Sequence, residues 1–289
     1  MSEPLPADIA EAVRVAGQRI GPIGDRLIYR ARVSSTNDVA LALVASGAKD
    51  WTTVLAGSQA AGRGRQGRWW FSAPDVGLYF STIMRGIEVT TLTLMAGVAV
   101  TEGVRAATGV AAEIKWPNDV VLSGPPPEGR QSPKVAGILT EASRFRGTVD
   151  AVVVGIGVNV SPTLYPPELT TVAGSLAAAV GRPVNRAAVL VEVLAALTRW
   201  RHALAAGRVH QTLARWRELA PTSEGTRVAW YEQGQRRLGV THGIDSDGAL
   251  LVACEGRVER LVAGDVTWLT PTAHRTRRGE TDAAGDRRR

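Results

Sequence analysis

At 289 residues and 45% hydrophobic content, the chain can bury a sizeable core and reads as one large globular unit with room for a small appendage. No apolar run approaches the ~20 residues of a membrane span, the first residues lack the basic start and apolar core of a signal peptide, and a lone cysteine, Cys254, excludes an internal disulfide and a cysteine-built metal site; the expected location is the cytoplasm. The net charge of +7 would suggest a polyanionic partner, but residues 272–289 hold six arginines against three acids, so +3 of it sits in a tail expected to be disordered.

Residues 8–20 carry helical apolar spacing at Ile9, Val13 and Ala16, and Gly21-Pro22 should end them. Residues 27–33 read as a strand, and Ser34-Ser35-Thr36-Asn37 as polar N-cap material opening a helix over 38–46 that Gly47 stops. Residues 51–58 form a strand leading into a glycine-arginine loop, and 77–84 the strand that leaves it. A buried helix is predicted over 91–107, then two short strands, 113–116 and 120–122, split by a Pro117-Asn118-Asp119 turn. Residues 124–133, with four prolines, read as a surface insertion. Strands at 135–141 and 150–160 follow, the second an unbroken apolar run suited to a sheet centre. Helices are predicted over 184–206 and 209–220. Short alternating strands with turns at 232–234, 245–248 and 255–256 then suggest a small β-barrel over 224–270.

The densest chemistry lies in Gly62-Arg63-Gly64-Arg65-Gln66-Gly67-Arg68, closed by Trp69, Trp70 and Phe71. Glycine permits close backbone approach at an entropic cost, and arginine binds phosphate or carboxylate through a planar fork. The loop is therefore expected to be mobile alone and to order over an anion. Gly62, Gly64 and Gly67 match a dinucleotide fingerprint, but such a turn must open a helix, and here two tryptophans and a Ser72-Ala73-Pro74-Asp75 turn follow instead.

Three further segments concentrate ligand-type residues at strand ends, where α/β proteins keep their sites. Ser35, Thr36 and Asn37 could bind a small neutral polar group, although helix capping explains them equally well. Lys115-Trp116-Pro117-Asn118-Asp119 offers an ammonium able to neutralise a carboxylate or a developing acyl phosphate, or is a surface turn. In Gly155-Ile156-Gly157-Val158-Asn159 the glycines would admit a ligand, with Asn159 as an acceptor, or mark a bend in a central strand. Only Lys49, Lys115 and Lys134 are lysine among 34 basic residues, so a compact ammonium at 115 or 134 stands out. The four histidines are scattered, against a histidine metal centre. No G-x-S-x-G elbow, Walker loop or H-E-x-x-H is present. A nucleic-acid-binding protein would use the arginines and tail on phosphates, but no core helix carries a basic face.

S-S-T-N (34–37), Q-A-A-G-R-G-R-Q-G-R-W-W (59–70), K-W-P-N-D-V (115–120), K-V-A-G-I-L-T-E (134–141) and G-I-G-V-N-V (155–160) stand in the order and approximate spacing of the biotin protein ligases, which the chain resembles strongly over 34–160 and plausibly to 270. The resemblance implies an α+β fold: a mixed-sheet catalytic domain of the class II synthetase-like type over 1–222 and an SH3-like barrel over 223–271, before the basic tail. It implies that ATP and biotin, with Mg²⁺, give biotinyl-5'-AMP, and that a lysine of a biotin carboxyl carrier domain then takes the biotin. On matched positions, Ser35, Thr36, Asn37 and Gln59 would meet biotin, with Gly137, Gly155 and Gly157 beside it. Lys115 and Arg65 would be catalytic. Arg63, Gly64, Arg65, Arg68, Trp70, Lys115, Asn118 and Asn159 would hold the adenylate, with Arg63, Gly64, Arg65 and Lys115 also reaching biotin, Lys115 at its carboxylate. The 34 residues before Ser35 are roughly half of a winged helix, so the resemblance is to the monofunctional class, with no nucleic acid or membrane expected; homodimers are common in the family. A lipoate or octanoate ligase of related fold is the competing enzyme reading.

Overall fold

The structure, a computed structural model, describes residues 3–124, 131–262, 264 and 266–269. The basic tail 272–289, and residues 125–130 of the proline-rich stretch, lie outside them. Seven strands form a mixed sheet: β1 (Leu27–Val33), β2 (Thr53–Gln59), β3 (Gly77–Met84), β4 (Ala112–Lys115), β5 (Asp119–Leu122), β6 (Lys134–Phe145) and β7 (Thr148–Asn159). Their order is β1-β2-β3-β7-β6-β5-β4, with β1 and β2 parallel and every other neighbour antiparallel. β7 is the middle strand of the seven, as its apolar run predicts, and β3 beside it is buried along its whole length.

Helices α1 (Ala7–Ala16), α2 (Thr36–Ala45), α3 (Val89–Thr108), α4 (Leu176–Val180), α5 (Arg186–Ala205) and α6 (Val209–Leu219) cover the sheet. The main core gathers Phe80, Met84, Met95, Val100, Leu190 and Leu194 between α3, α5 and the sheet, while Ala40, Val44, Val54 and Val153 seat α2 on the other side. A second sheet, β11-β10-β9-β8-β12, is wholly antiparallel: β8 (Glu224–Glu232), β9 (Gln235–Ile244), β10 (Leu250–Cys254), β11 (Arg257–Leu261) and β12 (Thr267–Trp268). It is consistent with an SH3-like module, and with the first sheet it gives the expected α+β fold. No helix among the described residues is long and apolar enough to cross a membrane.

Two boundaries differ from the sequence reading. The first helix ends at Gly17, which takes φ 50°, and residues 17–26 continue as a 3₁₀ segment kinked at Gly21; the earlier glycine is the first position able to adopt the positive φ that breaks the α-helix. β6 runs on to Phe145 and returns through Arg146-Gly147, both at positive φ, because pairing with β7 supplies the ladder that the polar residues after Glu141 do not signal.

Candidate active site

A cleft of about 430 Å³ lies where the glycine-arginine loop, β6, β7, the β4–β5 turn and Gly264, Val266 and Thr267 converge. All four segments singled out in the sequence contribute to it.

Ser35 stands at the N-cap of α2 but accepts no cap hydrogen bond, in contrast to Asn185, which caps α5 through Ala187 and Ala188 N–H. Capping therefore does not occupy the side chains that follow. Thr36 donates through its amide (2.8 Å) and hydroxyl (3.1 Å) to Gln59 Oε1. Asn37 Nδ2 donates to Glu141 Oε2 (2.6 Å) and the Leu139 carbonyl (3.3 Å). The Ser81 hydroxyl on β3 lies 2.7 Å from Thr36 Oγ1 and 2.6 Å from Asn37 Oδ1. Gln59 Nε2 donates to Ser72 Oγ at 2.8 Å. Buried polar groups need such partners, and this set, Ser35, Thr36 and Asn37 each under 5% exposed, presents fixed neutral donors and acceptors to one end of the cleft.

The glycines on the sheet make room for two side chains. A Cβ on Gly155 would fall 2.1 Å from Asn37 Oδ1; one on Gly157 would fall 2.4 Å from the Trp70 ring, and one on Gly137 2.7 Å from it. Trp70 thus lies against the β6–β7 backbone, and its indole N–H, buried, has no hydrogen-bond partner among the described residues. Lys134 Nζ stands 5.1 Å from the Trp70 ring centroid and 2.6 Å from Asp119 Oδ1, a cation held by both a carboxylate and a π face.

The loop is self-bonded: Gly64 N–H to Arg68 O (2.7 Å), Arg68 N–H to Arg65 O (3.1 Å) and Trp70 N–H to Gly62 O (2.8 Å), with Gln66 at φ 56° and Gly67 at φ 73° making the turn. Its arginines diverge. Arg63 Nη2 reaches Glu141 Oε2 (2.7 Å) and Asp38 Oδ1 (2.8 Å); Arg65 Nη1 donates to Asn118 Oδ1 at 3.3 Å; Arg68 Nη2 lies 3.5 Å from Gln66 Oε1. Asn118 Nδ2 in turn donates to the Ile138 carbonyl (2.6 Å), while Ile138 N–H donates to Asn118 O (2.9 Å), pinning the β4–β5 turn to β6. Lys115 Nζ donates to Gln131 Oε1 (2.9 Å) and stands 5.3 Å from the Trp268 ring, at the edge bordered by the second sheet. Asn159 Nδ2 donates to the Lys134 carbonyl at 3.3 Å. Tyr165, also lining the cleft, has its phenol pKa raised by burial and donates to the Gly174 carbonyl at 3.4 Å.

Every residue expected from the sequence lines this one cleft. Sequence reasoning assigned no role to Ser81 or Gln131; Asp119, Lys134 and Glu141 fell within quoted motifs without an assigned role, Lys134 standing out also for the scarcity of lysine. No group of three or more His, Cys, Asp or Glu able to hold a metal occurs among the described residues.

Fold and cleft together define a class: a mixed-sheet α+β protein whose one large cleft has a buried neutral polar cluster at one end and a glycine-arginine loop along its border. A family model described as the biotin/lipoate A/B protein ligase family matches residues 29–159. Over 268 residues the chain is 33% identical to the bifunctional ligase/repressor BirA of Bacillus subtilis, covering 90% of this chain and 79% of that protein. It is 34% identical over 251 residues to the biotin--[acetyl-CoA-carboxylase] ligase of Mycobacterium tuberculosis, covering 83% and 87%. A biotin protein ligase from Aquifex aeolicus, solved in complex with biotin and ATP, superimposes with a TM-score of 0.72 at 26% identity, covering 84% of this chain and 98% of that one. The chain belongs to the biotin/lipoate A/B protein ligase family, on its biotin ligase branch.

Proposed function

We infer that the chain is an ATP-dependent biotin--[biotin carboxyl carrier protein] ligase. In the first step a biotin carboxylate oxygen attacks the α-phosphorus of ATP, pyrophosphate leaves, and biotinyl-5'-AMP forms. In the second a neutral lysine amine of the carrier domain attacks the acyl carbon, the C–O bond to phosphate breaks, and AMP departs. The observation that carries this reading is the joining, in one cleft, of a buried neutral polar cluster with a glycine-arginine loop and two lysines.

Ser35, Thr36, Asn37 and Gln59 are assigned to the ureido head of biotin, with Gly137, Gly155 and Gly157 giving the ring and chain close access to the sheet. Trp70 is assigned to ring packing against the adenylate. Arg63, Gly64, Arg65 and Arg68 close over the anhydride and phosphates, where fixed cations act most strongly once water is excluded. Lys115 and Arg65 neutralise charge that develops at the acyl phosphate. Lys134 joins them, because its ammonium lies on the cleft floor beside Gly137 and Trp70. Asn118 and Asn159 would lie beside a nucleotide-bound Mg²⁺, which would supply neutralisation of phosphate charge. A cytoplasmic address and a homodimer accord with this reading. A lipoate or octanoate substrate is disfavoured because a fatty acyl chain has no use for the polar Ser35, Thr36 and Asn37 at the buried end of the cleft.

Incubation with ATP, Mg²⁺, labelled biotin and a carrier domain should label the carrier lysine and release pyrophosphate only when biotin is present. Labelling with octanoate or lipoate instead, or no biotin-dependent pyrophosphate, overturns the assignment.

A further inference from the structure

A second cavity, of about 140 Å³, adjoins the main cleft. Its mouth is formed by the exposed Thr90 at the start of α3 and by Val262, 62% exposed after β11. At its inner end it shares Arg65, Trp116, Pro117, Asn118, Ile138 and Leu139 with the main cleft, Arg65 and Asn118 being joined at 3.3 Å. Between mouth and inner end the walls are apolar on one side, with Leu94 and Trp116 both buried, and carry the Thr93 and Thr140 hydroxyls, 2.6 Å apart, on the other. No carboxylate, histidine or lysine lines it among the described residues; its one cation is Arg65.

We propose that this cavity is the route by which the acceptor lysine reaches the acyl adenylate. This rests on the biotin ligase reading and adds a site to it. Three features fit an unbranched primary amine. Apolar walls accept a four-carbon stem. Among the described residues the lining carries no carboxylate, and the guanidinium of Arg65 disfavours a second cation beside it, so the entering nitrogen is held as the neutral nucleophile. The cavity also meets the main cleft beneath the loop residue Arg65, so an amine can enter while the glycine-arginine loop covers the adenylate. At the inner end the amine nitrogen forms the C–N bond, the C–O bond to the phosphate breaks with its electron pair going to AMP, and the proton shed by nitrogen passes to solvent.

The test fills the mouth from its exposed rim. Val262→Trp, and independently Thr90→Trp in case the first disturbs the second sheet, are loaded with biotin and ATP. Biotin-dependent pyrophosphate release is measured first, and its absence in the unsubstituted protein would remove the ligase reading itself. Bound adenylate is then discharged with a carrier domain, with n-butylamine, or with hydroxylamine, which has no stem. The cavity route predicts adenylation and hydroxylamine discharge within about twofold of the unsubstituted protein, and carrier and butylamine discharge slowed at least about tenfold. Slowed carrier transfer with unchanged butylamine discharge would reduce the rim to a docking surface and overturn the route. Slowed pyrophosphate release would make the cavity an exit for the first product, and unchanged transfer in both variants would leave it no part in the reaction; either result overturns the proposal.

Discussion

Gly155 is a glycine because Asn37 leaves no room for anything else: a Cβ there would meet the Asn37 amide oxygen at 2.1 Å, and that oxygen is already engaged by Ser81. Gly155→Ala must therefore push the amide out of its network. The expected result is an overpacking cost of roughly 1 to 3 kcal/mol in stability and a rise in KM for biotin of about tenfold or more, one such bond being worth ~1.4 kcal/mol, with KM for ATP nearly unchanged. Equal effects on both substrates would place Asn37 elsewhere in the reaction. The two cleft lysines can be ranked in the same way. Lys134 sits on the floor between Asp119 and Trp70, and Lys115 at the edge under Trp268. Removing a cation that faces the acyl phosphate should cost about 3 kcal/mol, on the order of a hundredfold in the rate of adenylation, and the floor position predicts the larger loss for Lys134→Ala. Pyrophosphate-release kinetics decide the order. The motif residues were legible in the sequence because each comes within a short polar or glycine-rich string. Ser81 was not, since it looks like an ordinary strand residue until β3 brings it to Asn37 across 44 positions; Glu141 closes a quoted motif, but its contact with Asn37 across 104 positions is set only by the fold.

Three helices meet at one carboxylate. Glu102 of α3 accepts from Arg199 Nη2 (2.5 Å) and Trp200 Nε1 (2.8 Å) of α5 and from Arg215 Nε (2.6 Å) of α6. Burial opposes its ionisation, but these donors together outweigh burial and leave its pKa below the ordinary glutamate value. A group depressed in the folded state stabilises above its unfolded pKa, near ~4.3, and that contribution is lost as pH falls through the lower folded value. Glu102→Gln should therefore destabilise by about 1 to 3 kcal/mol at pH 7, with the difference from the unsubstituted protein shrinking below about pH 4. Urea midpoints at several pH values check this; a difference that grew on acidification would reverse the sign. Elements bounded by strong breakers were readable in the sequence, as with Gly77–Met84 and Val209–Leu219. What escaped were features set by pairing across the fold: the extension of β6 to Phe145, and the strand-like contact of Lys134 with Ala173, in which Lys134 N–H meets Val172 O at 2.7 Å and Gly174 N–H meets Lys134 O at 2.9 Å. That contact closes one wall of the cleft with residues 165–173, a segment with no periodicity of its own.

The two sheets share a core. Leu94 and Val98 of α3, Ile114 and Trp116 at β4 and Trp216 of α6 pack with Val228, Trp230, Ile244, Leu250 and Val252 of the second sheet, and Trp116 Nε1 donates to the Gly248 carbonyl at 3.1 Å. The second sheet, read from the sequence as a separate barrel, thus buries its apolar face on helices of the first rather than only on itself. A sheet of this size has little core of its own, so it should not fold when excised as residues 223–271, and the full chain should lose both sheets together. Tryptophan fluorescence and far-ultraviolet circular dichroism should then give coincident urea transitions. Trp116→Ala removes a buried indole from the shared core and should cost about 3 to 5 kcal/mol, moving both signals to the same lower midpoint. Because Trp116 adjoins Lys115 and lines both cavities, adenylation should fall at urea concentrations well before global unfolding of that variant. Two resolved transitions in the unsubstituted chain, or a cooperatively folded 223–271 fragment, would show that the shared apolar contact does not couple the sheets.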